Sequence, residues 1–284
     1  IDKTGLIAIT SNSIIRLEKS TIKESAPLSL STAIFIEQQN VIVGVSSTTS
    51  EFFFIRPYDL AHHISTNVRT KQVPTFHILY SPKSSLLITA GKNIKVWNLK
   101  CIMPSHNVIS VPPIIEITLR NVFDSSFEVD LLNPPLFDFQ RELLVLPEST
   151  GFNAYDMDCK FVKQMTKLSA SPRTAAAISK DSSNIITFDP KTGGAYEWNI
   201  NGTLLRNQTI GNSAIVSCRY LNEFFVIFLD SKNNIYLYDT QTLRLFLCDQ
   251  LSEKPSSIFL YYTSTSFFPT FSICYDNSID FYEV

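Results

Sequence analysis

Few side chains in this chain combine the type and the spacing that catalysis or metal binding needs. The histidines are His62, His63, His77 and His106. His62 and His63 are adjacent, so on a strand they point to opposite faces and suit a single metal ion poorly. They also lack the H-E-x-x-H spacing of a zinc-binding helix. The cysteines Cys101, Cys159, Cys218, Cys248 and Cys274 are odd in number, and none sits in the C-x-x-C pair of a structural zinc site. A serine nucleophile would stand in a strained G-x-S-x-G turn, and a phosphate in a glycine-rich loop. Neither motif occurs; Thr192-Gly193-Gly194 comes nearest to the second and reads as a turn between strands. Asp156 and Asp158 pair two carboxylates at the end of a strand-like run, where such residues shape turns. No catalytic set, metal or cofactor is expected.

Charge and composition narrow the functions further. Lys and Arg number 24 and Asp and Glu 26, a net charge of −2. General nucleic-acid binding needs a basic balance or a basic stripe, and the densest basic run is only Arg69-Thr70-Lys71. Phe52-Phe53-Phe54 and Tyr261-Tyr262 have the rings for base stacking but no interleaved Lys or Arg, so they read as core. The longest apolar run, Phe224 to Leu229, is far short of a membrane span. Scattered cysteines suit a reducing compartment, and the N-x-T sequons at Asn201 and Asn207 read as coincidence without a secretory signal. An intracellular chain, cytoplasmic or cytoskeleton-associated, is expected. The first residue is Ile1, which suggests an excerpt of a longer protein.

The elements behind these residues are strands. Phe (21), Tyr (11) and many Ile, Val and Thr favour them. The run Ile94-Lys95-Val96-Trp97 alternates apolar and polar side chains, the period of a strand with one buried face. It follows an apolar run, Leu86 to Thr89, across a break at Ala90-Gly91, so the two predict a hairpin. The same run recurs at Ile15 to Glu18, Phe53 to Arg56, Phe152 to Tyr155, Ala195 to Trp198, Ile235 to Tyr238 and Ile279 to Tyr282. The last positions, 18, 56, 97, 155, 198, 238 and 282, are spaced by 38, 41, 58, 43, 40 and 44 residues. Each recurrence follows another apolar run, most of these follow a third, and a more polar run trails several. Asp or Asn closes four of them, at Asn98, Asp156, Asn199 and Asp239. Four antiparallel strands per unit, repeated seven times, predict an all-β, seven-bladed β-propeller with four-stranded antiparallel blades in one domain over 1–284. The phase starts at the second strand of the first unit and ends at the third strand of the last. Glycine is scarce, with eight in the chain, so Asn and Ser are expected at turn positions with positive φ.

The stretch Ser81 to Lys100, SPKSSLLITAGKNIKVWNLK, resembles one repeat of the WD-repeat family, whose units of about 40–45 residues form propeller blades. The resemblance is clearest there and from Ile178 to Ile200. Glu18 and Arg56 stand where an aromatic is usual, and no Gly-His dipeptide occurs. The buried His-to-Asp relay of typical members therefore has no assignment. The resemblance implies a rigid, non-catalytic platform for other proteins. Three settings fit: a scaffold in a larger cytoskeletal or ciliary assembly protein, the terminal propeller of a BEACH-type membrane-trafficking protein, and a propeller hydrolase whose carboxylates meet at the central channel.

The spacing of 58 calls for an insertion, placed at 102–132. It carries a strand-like run, Ile114 to Leu119, and an acidic-aromatic stretch. Phe123, Asp124, Phe127, Glu128 and Asp130 could supply apolar anchors with a charged rim, the anatomy of a protein interface. Long loops on a rigid scaffold are where binding residues concentrate. The expected partners are other proteins, with no nucleic acid and no membrane insertion.

Overall fold

The computed structural model describes the chain apart from residues 1–4, 10–11, 19–20, 58, 73–74, 92, 103–113, 124–132, 159, 172, 180, 190, 212, 254, 256, 262–269, 276–278 and 284. It divides into two units, Ile1–Glu128 and Val129–Val284. In the first unit, β1 (Gly5–Ile9), β2 (Ile14–Glu18) and β3 (Thr21–Ala26) form the first sheet. The second sheet is β4 (Leu30–Ile36), β5 (Val41–Ser46), β6 (Glu51–Arg56) and β7 (Asp59–Arg69). The third is β8 (His77–Ser81), β9 (Leu86–Ala90), β10 (Ile94–Ile102) and β11 (Ile114–Phe123). In the second unit, the fourth sheet is β12 (Leu136–Asp138), β13 (Leu143–Glu148), β14 (Gly151–Tyr155) and β15 (Phe161–Gln164). The fifth is β16 (Ala176–Ile178), β17 (Asn184–Phe188), β18 (Gly194–Asn199) and β19 (Leu204–Thr209). The sixth is β20 (Ile215–Tyr220), β21 (Phe225–Asp230), β22 (Asn234–Asp239) and β23 (Arg244–Gln250). The seventh is β24 (Ser257–Tyr261), β25 (Thr270–Cys274) and β26 (Ile279–Glu283).

Every sheet is an antiparallel meander, and all seven recurring runs lie on strands, at β2, β6, β10, β14, β18, β22 and β26. Burial explains the sequence gradient across a sheet. The second strand is covered on both faces, so β5 and β9 are buried at every residue and read as continuous apolar runs. The fourth strand has one neighbour and faces solvent, so β19 and β23 are mostly exposed. Within each unit the first strands of successive sheets touch, β4 with β8, β12 with β16 and β16 with β20.

Adjacent sheets share apolar cores. Ile14, Leu30, Ile42 and Ile55 pack between the first and second sheets. Between the second and third, the Trp97 ring meets Phe52 edge-on at 5.1 Å. Trp198 packs with Val145, Phe152 and Ile185 between the fourth and fifth. Phe188 and Phe228 lie 5.3 Å apart between the fifth and sixth. Both tryptophans are buried, at 2% and 6% exposure, as their strand positions require.

Turn chemistry repeats as well. Asn40, Ser85, Glu142 and Ser182 take positive φ between the first and second strands of four successive sheets. Ser50 and Asn233 do so between second and third strands, so non-glycine residues carry the left-handed turns as expected. The Asp or Asn that closes a third strand caps the next turn. Asp156 accepts from Asp158 and Lys160 N–H, Asn199 from Asn201 and Thr203, and Asp239 from Gln241 and Thr242, at 2.8–3.2 Å. Asn98 differs because β10 runs on to Ile102 and keeps it inside the strand.

That extension gives the stretch read as an insertion its structure. β11 pairs with β10 from Ile94↔Phe123 to Ile102↔Ile114, so part of 102–132 is the fourth strand of the third sheet. Residues 103–113 and 124–132 lie outside the described residues.

Candidate protein-binding surface

Three neighbouring fourth strands of the second unit, β15, β19 and β23, expose apolar side chains where edge strands usually carry charge. Phe161 is 59% exposed, Leu205 49% and Leu247 61%, and Val162, Leu204, Leu243 and Phe246 are exposed beside them. They cluster where each fourth strand begins, just after the turn from the third. A register shift marks all three of these pairings, at Ala154/Tyr155, Glu197/Trp198 and Ile235/Tyr236. A bulge adds local twist and re-aims side chains.

Hydrogen bonds join the strands sideways. Lys163 on β15 donates to Asn201 in the following sheet's turn at 3.5 Å. Gln208 on β19 donates to the carbonyl of Leu243 at 3.3 Å and accepts from the Tyr238 hydroxyl at 3.2 Å. Beneath them Glu197, 3% exposed, accepts from Arg206 at 2.5 Å and from Asn184 at 3.2 Å. Its charge is thus neutralised by a neighbour on β19, and the surface above is left apolar. Isolated exposed apolar residues are ordinary, but exposed apolar residues repeated on three successive edge strands make these strands a candidate interaction surface.

The other polar groups shape the scaffold. Trp97 Nε1–H donates to Thr89 Oγ1 and Trp198 Nε1–H to Thr187 Oγ1, each at 3.0 Å, with both threonines fully buried. In the third sheet the relay continues: Thr89 donates to Gln72 Oε1 at 2.7 Å, and Gln72 Nε2 donates to Asn93 Oδ1 at 3.0 Å. A neutral Gln–Asn pair thus links to Trp97 and Thr89, although the sequence offered no histidine relay. Burial and hydrogen bonds compete at Asp189. Burial pushes its carboxyl up, but donors at Lys191 and Thr192 more than offset this and hold it below the ordinary value. Those bonds, and the positive φ of Gly193, show that Thr192-Gly193-Gly194 is a turn. Burial pushes the Cys218 thiol up to about 12, and burial first, then Glu148, takes Tyr155 to about 12.

The residues singled out from sequence as a binding arm are placed only in part. Phe123 ends β11 opposite Ile94, while Asp124, Phe127, Glu128 and Asp130 lie outside the described residues. The β15–β19–β23 surface went unnoticed in the sequence, where these strands read only as the more polar runs that trail several of the repeats, and the exposed apolar residues within them were not singled out. Among the described residues no group of three or more His, Cys, Asp or Glu could hold a metal ion. No helix there is long and apolar enough to cross a membrane.

No family model matches the chain, and no curated protein matches it either. Solved structures do, and 1258 chains match, far too many to point to one function. KlHsv2 with loop 6CD replaced by a Gly-Ser linker aligns at TM-score 0.61 and 12% identity, over 96% of this chain and 85% of that one. Hsv2 from Kluyvelomyces marxianus aligns at 0.59 and 11% identity, over 100% of this chain and 89% of its own. At such identities the likeness shows the fold alone: this chain is an all-β protein with the β-propeller fold.

Proposed function

We propose that the chain is a non-catalytic protein–protein interaction scaffold, a seven-bladed, WD-repeat-like propeller that serves within a larger cytoskeletal or ciliary assembly protein inside the cell. The observation that carries the binding role is the exposed apolar set on β15, β19 and β23. Such a surface gains free energy when a protein covers it, at about 25 cal/mol per Å² of apolar area. The acidic-aromatic stretch with Phe123, Asp124, Phe127, Glu128 and Asp130 is a second contact in this reading. Three buried carboxylates are engaged in the scaffold, which supports the absence of catalysis. Asp138 accepts from Arg141 at 2.9 Å, Asp230 caps the turn at Lys232 and Asn234, and Glu197 is held by Arg206.

The test is recovery of partners from source-cell extract by the wild-type chain and by Leu205→Ser/Leu247→Ser, two exposed changes that leave the core intact. The variant should lose a partner that the wild type retains. Equal recovery of every partner would remove the surface from the argument. Hydrolysis of an ester, phosphate or glycoside by the purified chain, abolished by changing a carboxylate, would overturn the non-catalytic reading.

A further inference from the structure

Charge is unevenly spread along the β15–β19–β23 surface. From Lys160 to Arg173, through β15 and the connection that follows it, the chain carries four bases and no acid, in a protein whose net charge is −2. Lys160, Lys167 and Arg173 are exposed, and Lys163 is partly so. Among the described residues none of the four forms an ion pair. The acids nearest in sequence, Asp156 and Asp158, lie in the turn before Lys160, where Asp156 accepts from the N–H groups of Asp158 and Lys160. Lys163 has a second cation, Arg141, for a neighbour. Burial first, then that guanidinium, holds the Lys163 ammonium below its ordinary value. The opposing pull of Asp138, itself paired with Arg141 at 2.9 Å, does not offset them. Positive charge crowded in this way is complementary to a negative partner.

The excess does not continue across the neighbouring strands. On β19 the only charged residue is Arg206, and Glu197 neutralises it at 2.5 Å. On β23 Arg244 stands opposite Asp239, and Asp249 lies near the far end. Asp249 and, just beyond the strand, Glu253 are both exposed. What β19 and β23 offer instead is apolar, with Leu205 49% and Leu247 61% exposed. The surface therefore changes from basic at β15 to apolar at β19 and β23, and then to acidic past β23. A nucleic acid or an anionic bilayer carries one sign of charge along its length, and would meet apolar strands and then like charge. A polypeptide can change character over the same span.

We propose that a segment of a partner protein, acidic in one part and apolar in the next, covers this surface, with its carboxylates over Lys160, Lys163, Lys167 and Arg173 and its apolar side chains over β19 and β23. Charge would steer and select the segment, and apolar contact would hold it. This names the partner's chemistry for the binding role proposed above and rests on that reading. The two fail separately: the binding role is tested on Leu205 and Leu247 with natural partners, and the charge beside β15 is tested with both leucines in place.

The probes are three labelled peptides added to the 284-residue chain. One joins a run of glutamates to a run alternating leucine and serine, one has lysine in place of glutamate, and one has serine in place of leucine. The first should bind at least about tenfold more tightly than either other, and less tightly as salt is raised. Lys160→Glu and, separately, Lys167→Glu should each weaken it at least about threefold and leave the urea midpoint in place. Lys232→Glu, in the turn at the opposite end of the sixth sheet, should leave binding unchanged. Equal binding of the lysine peptide would overturn the acidic partner. Equal binding of the serine peptide would reduce the contact to charge attraction and overturn it too. Phosphatidylserine vesicles or a single-stranded oligonucleotide that bound more tightly than the first peptide, with loss on Lys160→Glu, would overturn it in favour of a lipid or a nucleic acid. A dimer of the chain in sedimentation equilibrium, weakened by Lys160→Glu and restored by mixing that variant with Glu253→Lys, would give the surface to a second copy and overturn it.

Discussion

Replacing Thr89 with Val keeps the shape of a fully buried side chain and deletes one hydroxyl. That hydroxyl accepts from Trp97 Nε1–H at 3.0 Å and donates to Gln72 Oε1 at 2.7 Å. Two buried groups therefore lose a partner together. An orphaned buried donor or acceptor costs about 1–3 kcal/mol, so Thr89→Val should cost about 2–4 kcal/mol. Trp97→Phe removes the indole N–H and part of the ring, at about 1–3 kcal/mol for the cavity and lost contacts. In the double variant no indole N–H remains to be orphaned. The combined loss should therefore fall short of the sum of the singles by about 1 kcal/mol or more. Thr187→Val repeats the experiment against Trp198, whose bond to the hydroxyl is also 3.0 Å. The assay is urea unfolding at 25 °C followed by far-ultraviolet circular dichroism. The chain has two tryptophans, so in a Trp198→Phe background the emission of Trp97 reports its own site. A Thr89→Val loss below about 0.5 kcal/mol, or additive singles, would refute the relay as a coupled unit.

Two further outcomes follow from backbone and burial. Gly151 has φ +136° and a Cβ there would run into the Thr166 carbonyl, so Gly151→Ala should cost about 3 kcal/mol or more. Gly211 has nothing within 4 Å of such a Cβ, and Gly211→Ala should leave stability within about 1 kcal/mol of wild type; thermal melts compare the pair. The Cys218 thiol is raised from 9.0 to about 12 by burial, and Tyr155 from 10.0 to about 12. The unfolded groups ionise first, so this stability is fully present below pH 9 and declines as pH rises toward 12. Urea midpoints across that range should fall, and less steeply in Cys218→Ala. A flat profile would contradict the burial of Cys218 and the hold of Glu148 on the half-buried Tyr155.

What the sequence disclosed follows from how tightly each strand is constrained. Second strands such as Leu86 to Ala90 are covered on both faces, and third strands alternate around Trp97 or Trp198, so their patterns survive in the residues. Fourth strands are held on one side only. β3, TIKESA, and β7, DLAHHISTNVR, need no apolar period and gave no signal. Asp156, Asn199 and Asp239 were legible as a recurrence, though their capping role needed coordinates. The relay partners Gln72 and Asn93 were illegible because they lie in connections where almost any residue is admissible. The exposure of Leu204 and Leu205 was hidden for a different reason: apolar side chains look the same in sequence whether a neighbour covers them or not.

The neutral relay in the third sheet bears on how the molecule fails in acid. Trp97, Thr89, Gln72 and Asn93 have no proton to gain between neutrality and pH 3, so acidification leaves their bonds intact. The second unit relies on ionised carboxylates at its turns. Asp181, Asp189 and Asp239 are pushed up by burial but pulled further down by hydrogen bonds, and so sit below their ordinary value. Their contribution is present above about pH 4 and fades as pH falls through those lowered values. Acid should therefore loosen the turns that Asp181, Asp189 and Asp239 cap while the relay of the third sheet keeps its bonds.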